Sequence, residues 1–187
     1  MANADTPFGL KPVKDAGSGY ETGGLSMYYV PASDGTALYI GDPVVKSGSA
    51  DAAGIPGAVR AVAAGPITGV VMGFVPDGTT DQAGYRAAST AAYVLVCDNP
   101  DEAFIIQDDT GIAAADVGLN ANMTIAAGSS YSKRSGVTLD AATKATTATL
   151  ALKILGLAPL PGNEFGANNK LLVKINNHTE AQASAGA

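Results

Sequence analysis

The chain has 187 residues, enough for one domain with its own core or for a domain plus arms. Its net charge is −6, only 15% of residues are charged, and Trp is absent. Such acidity argues against a nucleic-acid partner, which normally meets a basic face, and a lone cysteine, Cys97, excludes an intrachain disulfide. A lightly charged surface rich in Ala and Gly suits a protein that lies against other subunits, and equally a plain soluble domain. No run approaches the ~18 apolar residues of a membrane helix, so no membrane partner is expected. The start, MANADTPFGLKP, has neither the basic opening nor the apolar stretch of a signal peptide, which points to the cytoplasm of the producing cell.

Residues 1–24 contain Pro7, Gly9, Pro12, Gly17, Gly19, Gly23 and Gly24, and that punctuation excludes a helix or a long strand. Phe8, Leu10 and Val13 are spaced apolar anchors in an extended, Pro-flanked stretch, with Tyr20 beyond. The segment is expected to be an arm that orders along a neighbouring subunit, with Pro7, Phe8, Leu10 and Pro12 as its contacts. A loop folded back on its own domain is the alternative.

Residues 25–178 are expected to form the β domain. Leu25–Pro31 is the first strand, rich in Tyr and Val. Ala37–Ile40 and Pro43–Lys46 flank a kink at Gly41-Asp42, Ser47–Gly57 is a loop, and Ala58–Ala63 is a further strand. Ile67–Val75 is strongly β-like, its Gly69 and Gly73 suggest bulges, and Pro76-Asp77-Gly78 is a turn. Thr79–Thr90 is a polar connection.

The stretch Ala91–Asp109 carries two runs, Tyr93–Cys97 and Ala103–Ile106, around the turn formers Asp98-Asn99-Pro100-Asp101-Glu102. This predicts a hairpin, central because both runs are apolar on both faces, with an exposed acidic turn. Thr110–Gly118 has the composition for one helical turn. Leu119–Ala126 and Val137–Leu139 are weak strands. Thr146–Leu157 alternates with Ala148, Leu150, Leu152 and Ile154 on one face. Lys170–Asn176 is the closing strand, and 179–187 is expected to be a flexible tail. Evenly spaced strands with little helix predict an all-β fold, a compact barrel or sandwich.

Catalytic equipment is sparse. The only histidine, His178, is expected at a frayed end, with no second His for a triad or a zinc site. Cys97 lies in an apolar run and reads as a small buried hydrophobe rather than a reactive thiol. Asp98, Asp101, Glu102, Asp108, Asp109 and Asp116 concentrate acid, but they match no calcium-loop spacing. A glycosidase pair among them would lack its usual aromatic cleft. No phosphate-binding glycine motif is present. Two glycosylation sequons, at Asn122 and Asn177, read as chance. Lys133 and Arg134 are an isolated basic pair, either contacts for an acidic partner or a plain surface loop. No catalytic residue, cofactor or metal is expected.

The segments MANADTPFGLKPV, MYYVPASDGTALYIGDPV, GVVMGFVPD, YRAASTAAYVLVCDNPDEAFIIQDD, LALKILGL and KLLVKINNH together resemble a group of tailed-bacteriophage, head-associated virion structural proteins. The similarity spans nearly the whole chain and is most specific in PFGLKPV and at the DNPD turn. It implies a capsid decoration (cement) protein on the virion surface, made in the host cytoplasm. Its partner would be the major capsid protein, and its form a homotrimer at threefold or quasi-threefold positions. Another virion component, such as a tail-tube or minor head protein, and a carbohydrate-binding β module are the alternatives.

Overall fold

The structure, a computed structural model, describes residues 3–15, 24–76, 84–181 and 186. The expectations that fall on Gly17, Gly19, Tyr20 and Gly23, on residues 77–83, and on 182–185 and 187 lie outside the described residues.

The fold is nearly all β, built from two sheets packed together. Its strands are β1 (Lys11–Asp15), β2 (Leu25–Val30), β3 (Pro43–Ala50), β4 (Pro56–Arg60), β5 (Gly69–Phe74), β6 (Ala92–Cys97), β7 (Glu102–Gln107), β8 (Asn120–Thr124), β9 (Thr138–Ala145), β10 (Leu152–Leu157) and β11 (Lys170–Ile175). A 3-10 turn at Ala114–Asp116 occupies the stretch expected to make one helical turn. Five strands close a small barrel in the order β2-β4-β3-β5-β6. The other six form a sheet in the order β1-β7-β11-β10-β8-β9. Among these strands the pairings are antiparallel except the short parallel contact of β2 with β4 at Tyr29 and Gly57. Closure leaves the barrel without edges, so the exposed edges belong to the sheet.

Each sheet encloses its own apolar cluster. Tyr28, Val30, Leu38, Val44, Ala58, Val71, Val94 and Val96 fill the barrel. The larger cluster lies under the sheet, where Phe104, Ile106, Leu152, Ile154, Leu171 and Val173 meet Ile67, Val70 and Cys97 from the barrel side. Cys97 is buried and in no disulfide, as its apolar run implies.

The expected hairpin is not formed. β6 pairs with β2 and β5 in the barrel, while β7 pairs with β1 and β11 in the sheet. The Asp98–Asp101 connection therefore carries the chain from one layer to the other. Two successive runs that are apolar on both faces each need cover on both sides, and each finds it as an interior strand of a different sheet. Glu102 is not in an exposed turn: it begins β7 and is fully buried.

Other boundaries moved for local reasons. Residues 37–40 make isolated bridges, Leu38 with Arg86 and Ile40 with Arg134, instead of a strand. β3 continues through Ala50 into the expected loop. Of the alternating 146–157 stretch only Leu152–Leu157 is a strand, because the Asn176 Nδ2 donates to the carbonyls of Ala148 and Leu150 and folds that segment into a turn.

The arm over 1–24 needs a larger correction. Residues 11–15 are the edge strand β1, with Lys11 opposite Ile105 and Pro12 opposite Phe104. Pro at a sheet edge leaves no interior ladder bond unmade. Leu10 is 1% exposed and belongs to the main core. Burying it is worth about 2 kcal/mol, which a free arm would forgo. The tail is likewise partly docked. The Thr179 N–H donates to the Ile67 carbonyl, Glu180 pairs with Lys46, and the Gly186 N–H donates to the Thr146 carbonyl.

Candidate functional site

The N-terminal segment crosses the turn that precedes β3, and the crossing is tight. The Leu10 N–H donates to the Gly41 carbonyl at 2.9 Å, and the Gly41 N–H donates to the Val71 carbonyl at 2.8 Å. Gly9 takes φ +73°, and a Cβ there would overlap the Gly41 carbonyl oxygen and the Ser135 side chain. Only glycine fits such a position, which gives the PFGLKP stretch a structural reason.

The crossing frames a cleft in two joined lobes. Leu10, Ile40, Gly41 and Met72 line the smaller lobe, of 180 Å³. Thr6, Pro7, Ile105, Ser132, Leu160 and Lys170 line the larger, of 560 Å³. Phe8, Lys11 and Arg134 line both. Pairing in the sheet places the cations. Lys11 stands opposite Ile105, Ile105 opposite Leu172, and Lys170 two residues from Leu172, so these side chains share one sheet face. Arg134 comes from the loop after β8, held by its bridges to Ile40 and Ser129. Beside it, Lys133 lies over the Tyr85 ring at 4.7 Å, and Tyr85 stacks on Tyr39. Among the described residues no carboxylate lines either lobe.

Of the expected contacts, Pro7 is exposed and lines the cleft, and Phe8 is half-buried at its centre. Pro12 is half-buried in β1, and Leu10 is spent on the protein's own core, so it offers nothing to a partner. Lys11, Lys170 and Leu160 were missed in the sequence. Three cations far apart in the chain carry no local signature, although the Lys170–Leu172–Lys174 alternation marks a charged outer face.

The acidic concentration does not converge. Asp98 accepts from the Tyr28 hydroxyl at 2.9 Å, Asp101 pairs with Lys174, Asp109 takes the Ala141 N–H, and Asp116 pairs with Lys144. Among the described residues no group of three His, Cys, Asp or Glu side chains is placed to hold a metal ion.

The buried ionisable groups serve the fold. Asp42 takes the Tyr39 N–H at 2.9 Å, and burial raises its pKa. Burial pushes Asp108 up to about 6. His178 is not frayed: it is 3% exposed, its Nδ1 accepts the Glu180 N–H, and burial lowers its pKa. Arg86 is fully buried and donates to the carbonyls of Pro31, Asp34, Thr36 and Thr90, tying two loops at one end of the barrel.

No family model matches the chain, and neither the curated proteins nor the solved structures contain a match.

Proposed function

We propose that the protein is a non-enzymatic structural component of a tailed-phage virion, a decoration protein that binds the outer head surface across adjacent capsomers. Its partner is the major capsid protein, and it acts as a homotrimer at threefold or quasi-threefold positions. The sequence resemblance supports this reading. The structural observation that carries it is the solvent-open cleft, where Pro7 and Phe8 stand beside Lys11, Arg134 and Lys170 with no carboxylate among the described lining residues. Such a surface suits docking on another protein. Binding only the assembled shell stabilises it by mass action, and several copies per trimer multiply weak contacts.

The N-terminal segment works here as a docked wall of the cleft rather than as a free arm. Removing it would remove Leu10 from the core and β1 from the sheet. The test therefore uses the full chain. Purified protein is mixed with heads lacking it, sedimented, and located by electron microscopy. Density at threefold or quasi-threefold positions is expected. Tubes or rings of the purified protein, or its presence only in tails, would favour a tail component and overturn this reading.

A further inference from the structure

The chain carries an excess of acid, yet Lys11, Arg134 and Lys170 gather on one cleft. Among the described residues none of the three makes an ion pair. The described pairs are Lys46–Glu180, Arg86–Asp34, Lys144–Asp116 and Lys174–Asp101. Three cations lining one cleft give it a positive lining that an anionic ligand neutralises. Between them the cleft is apolar, with Phe8, Ile105 and Leu160 in its lining, and Leu160 is 41% exposed. The rim is apolar as well. Ile40 is exposed in the smaller lobe, and Tyr131, one residue before the lining Ser132, is 96% exposed. A fully solvated aromatic beside a cleft is the kind of side chain that becomes covered on binding.

We propose that the cleft is a docking site for an extended acidic segment of a partner protein. Carboxylates of that segment pair with Lys11, Arg134 and Lys170, and an apolar side chain between them packs on Phe8 and Leu160. The alternation of charge and apolar surface matches a peptide better than a nucleic acid, which would need a longer basic track than this acidic chain presents. The inference rests on the decoration reading only in making the partner a shell protein, and the chemistry of the cleft stands without it.

The test is fluorescence anisotropy with the full-length protein at low ionic strength. The probe is a short labelled peptide of alternating Glu and Leu, with a Gln-Leu peptide and a single-stranded oligonucleotide as comparisons. Binding of the Glu-Leu peptide is expected, weakening as salt rises. The double substitution Arg134→Glu, Lys170→Glu should weaken it by roughly tenfold or more. Lys46→Glu, at a cation outside the cleft, should leave it unchanged. Arg134 is exposed, Lys170 is half-buried, and neither makes an ion pair among the described residues, so thermal melts of the double variant are expected to stay close to the parent. Equal affinity for the Gln-Leu peptide, no loss on charge reversal, or tighter cleft-dependent binding of the oligonucleotide would each overturn the proposal. Peptide binding without head binding would remove the decoration reading and leave the cleft assignment standing.

Discussion

Gly9→Ala tests whether the N-terminal segment is part of the folded domain. The added Cβ would overlap the Gly41 carbonyl oxygen and the Ser135 Cβ. The Gly41 oxygen is backbone, fixed by the Gly41 N–H bond to Val71, so it cannot swing away as a side chain end would. The φ of +73° adds about 1–2 kcal/mol of strain for any L side chain. The chain relieves the overlap by undocking. That forfeits the Leu10 N–H bond to Gly41, worth about 1 kcal/mol, and the burial of Leu10, worth about 2 kcal/mol. The expected destabilisation is about 3 kcal/mol, because undocking also releases the backbone strain. Urea titration followed by tyrosine fluorescence measures it, with hydrogen exchange at Leu10 and in β7 reporting where protection is lost. Gly35→Ala is the control: no atom lies within 4 Å of a Cβ there, and its cost should stay within about 0.5 kcal/mol. A Gly9→Ala protein within about 1 kcal/mol of the parent, with Leu10 still protected, would refute the docked-segment account.

Arg86→Met should cost about 2–4 kcal/mol, because it takes the donor from the half-buried Thr36 and Thr90 carbonyls and one of two donors from those of Pro31 and Asp34; the urea midpoint reads this, and a change near zero would mean those loops are held by other contacts. Asp108 has a native pKa raised from 3.8 to about 6, so the native state holds a proton that the unfolded chain has released between those values. Its contribution to stability is complete below pH 3.8 and is lost as pH rises toward 6, and Asp108→Asn should remove that part of the slope in urea midpoints taken across the range. His178 behaves in the opposite sense: its lowered pKa means the unfolded chain binds the proton first, so stability falls as pH drops below 6.5, and His178→Gln should flatten the acid limb.

Much of the strand content was legible. β2, β5, β6, β7 and β11 all sit within runs rich in Val, Ile, Leu, Tyr or Phe and bounded by turn residues, and that local chemistry sufficed. Pairing was not legible in the same way. The Asp98–Asp101 segment has the composition of a hairpin turn, and the same composition serves a crossing between layers. The two-sided apolar character of β6 and β7 was the useful clue, since each fills an interior place in its own sheet.

His178 shows the limit of arguing from position in the chain. It lies near the C-terminus, yet its bridge to Ile67 at the entry to β5 draws it inside. The N-terminal segment shows the same limit at the other end. Its prolines and glycines correctly excluded a helix, but the positive φ of Gly9 and the burial of Leu10 depend on a turn some thirty residues away, at Gly41. The cleft was legible only in fragments. Lys133-Arg134 stood out as a basic pair, while Lys11 and Lys170 join Arg134 only because β1, β7 and β11 lie side by side.

The proposed function has this chain bind a phage shell through the cleft beside Phe8. Its most direct test is a reconstruction of heads decorated in vitro with the parent protein and with the Arg134→Glu, Lys170→Glu variant. The account predicts parent density at threefold or quasi-threefold positions, with the Phe8 cleft turned toward the capsid and occupancy sharply reduced for the variant. Equal occupancy of the two proteins, or a cleft facing solvent on the decorated head, would contradict it.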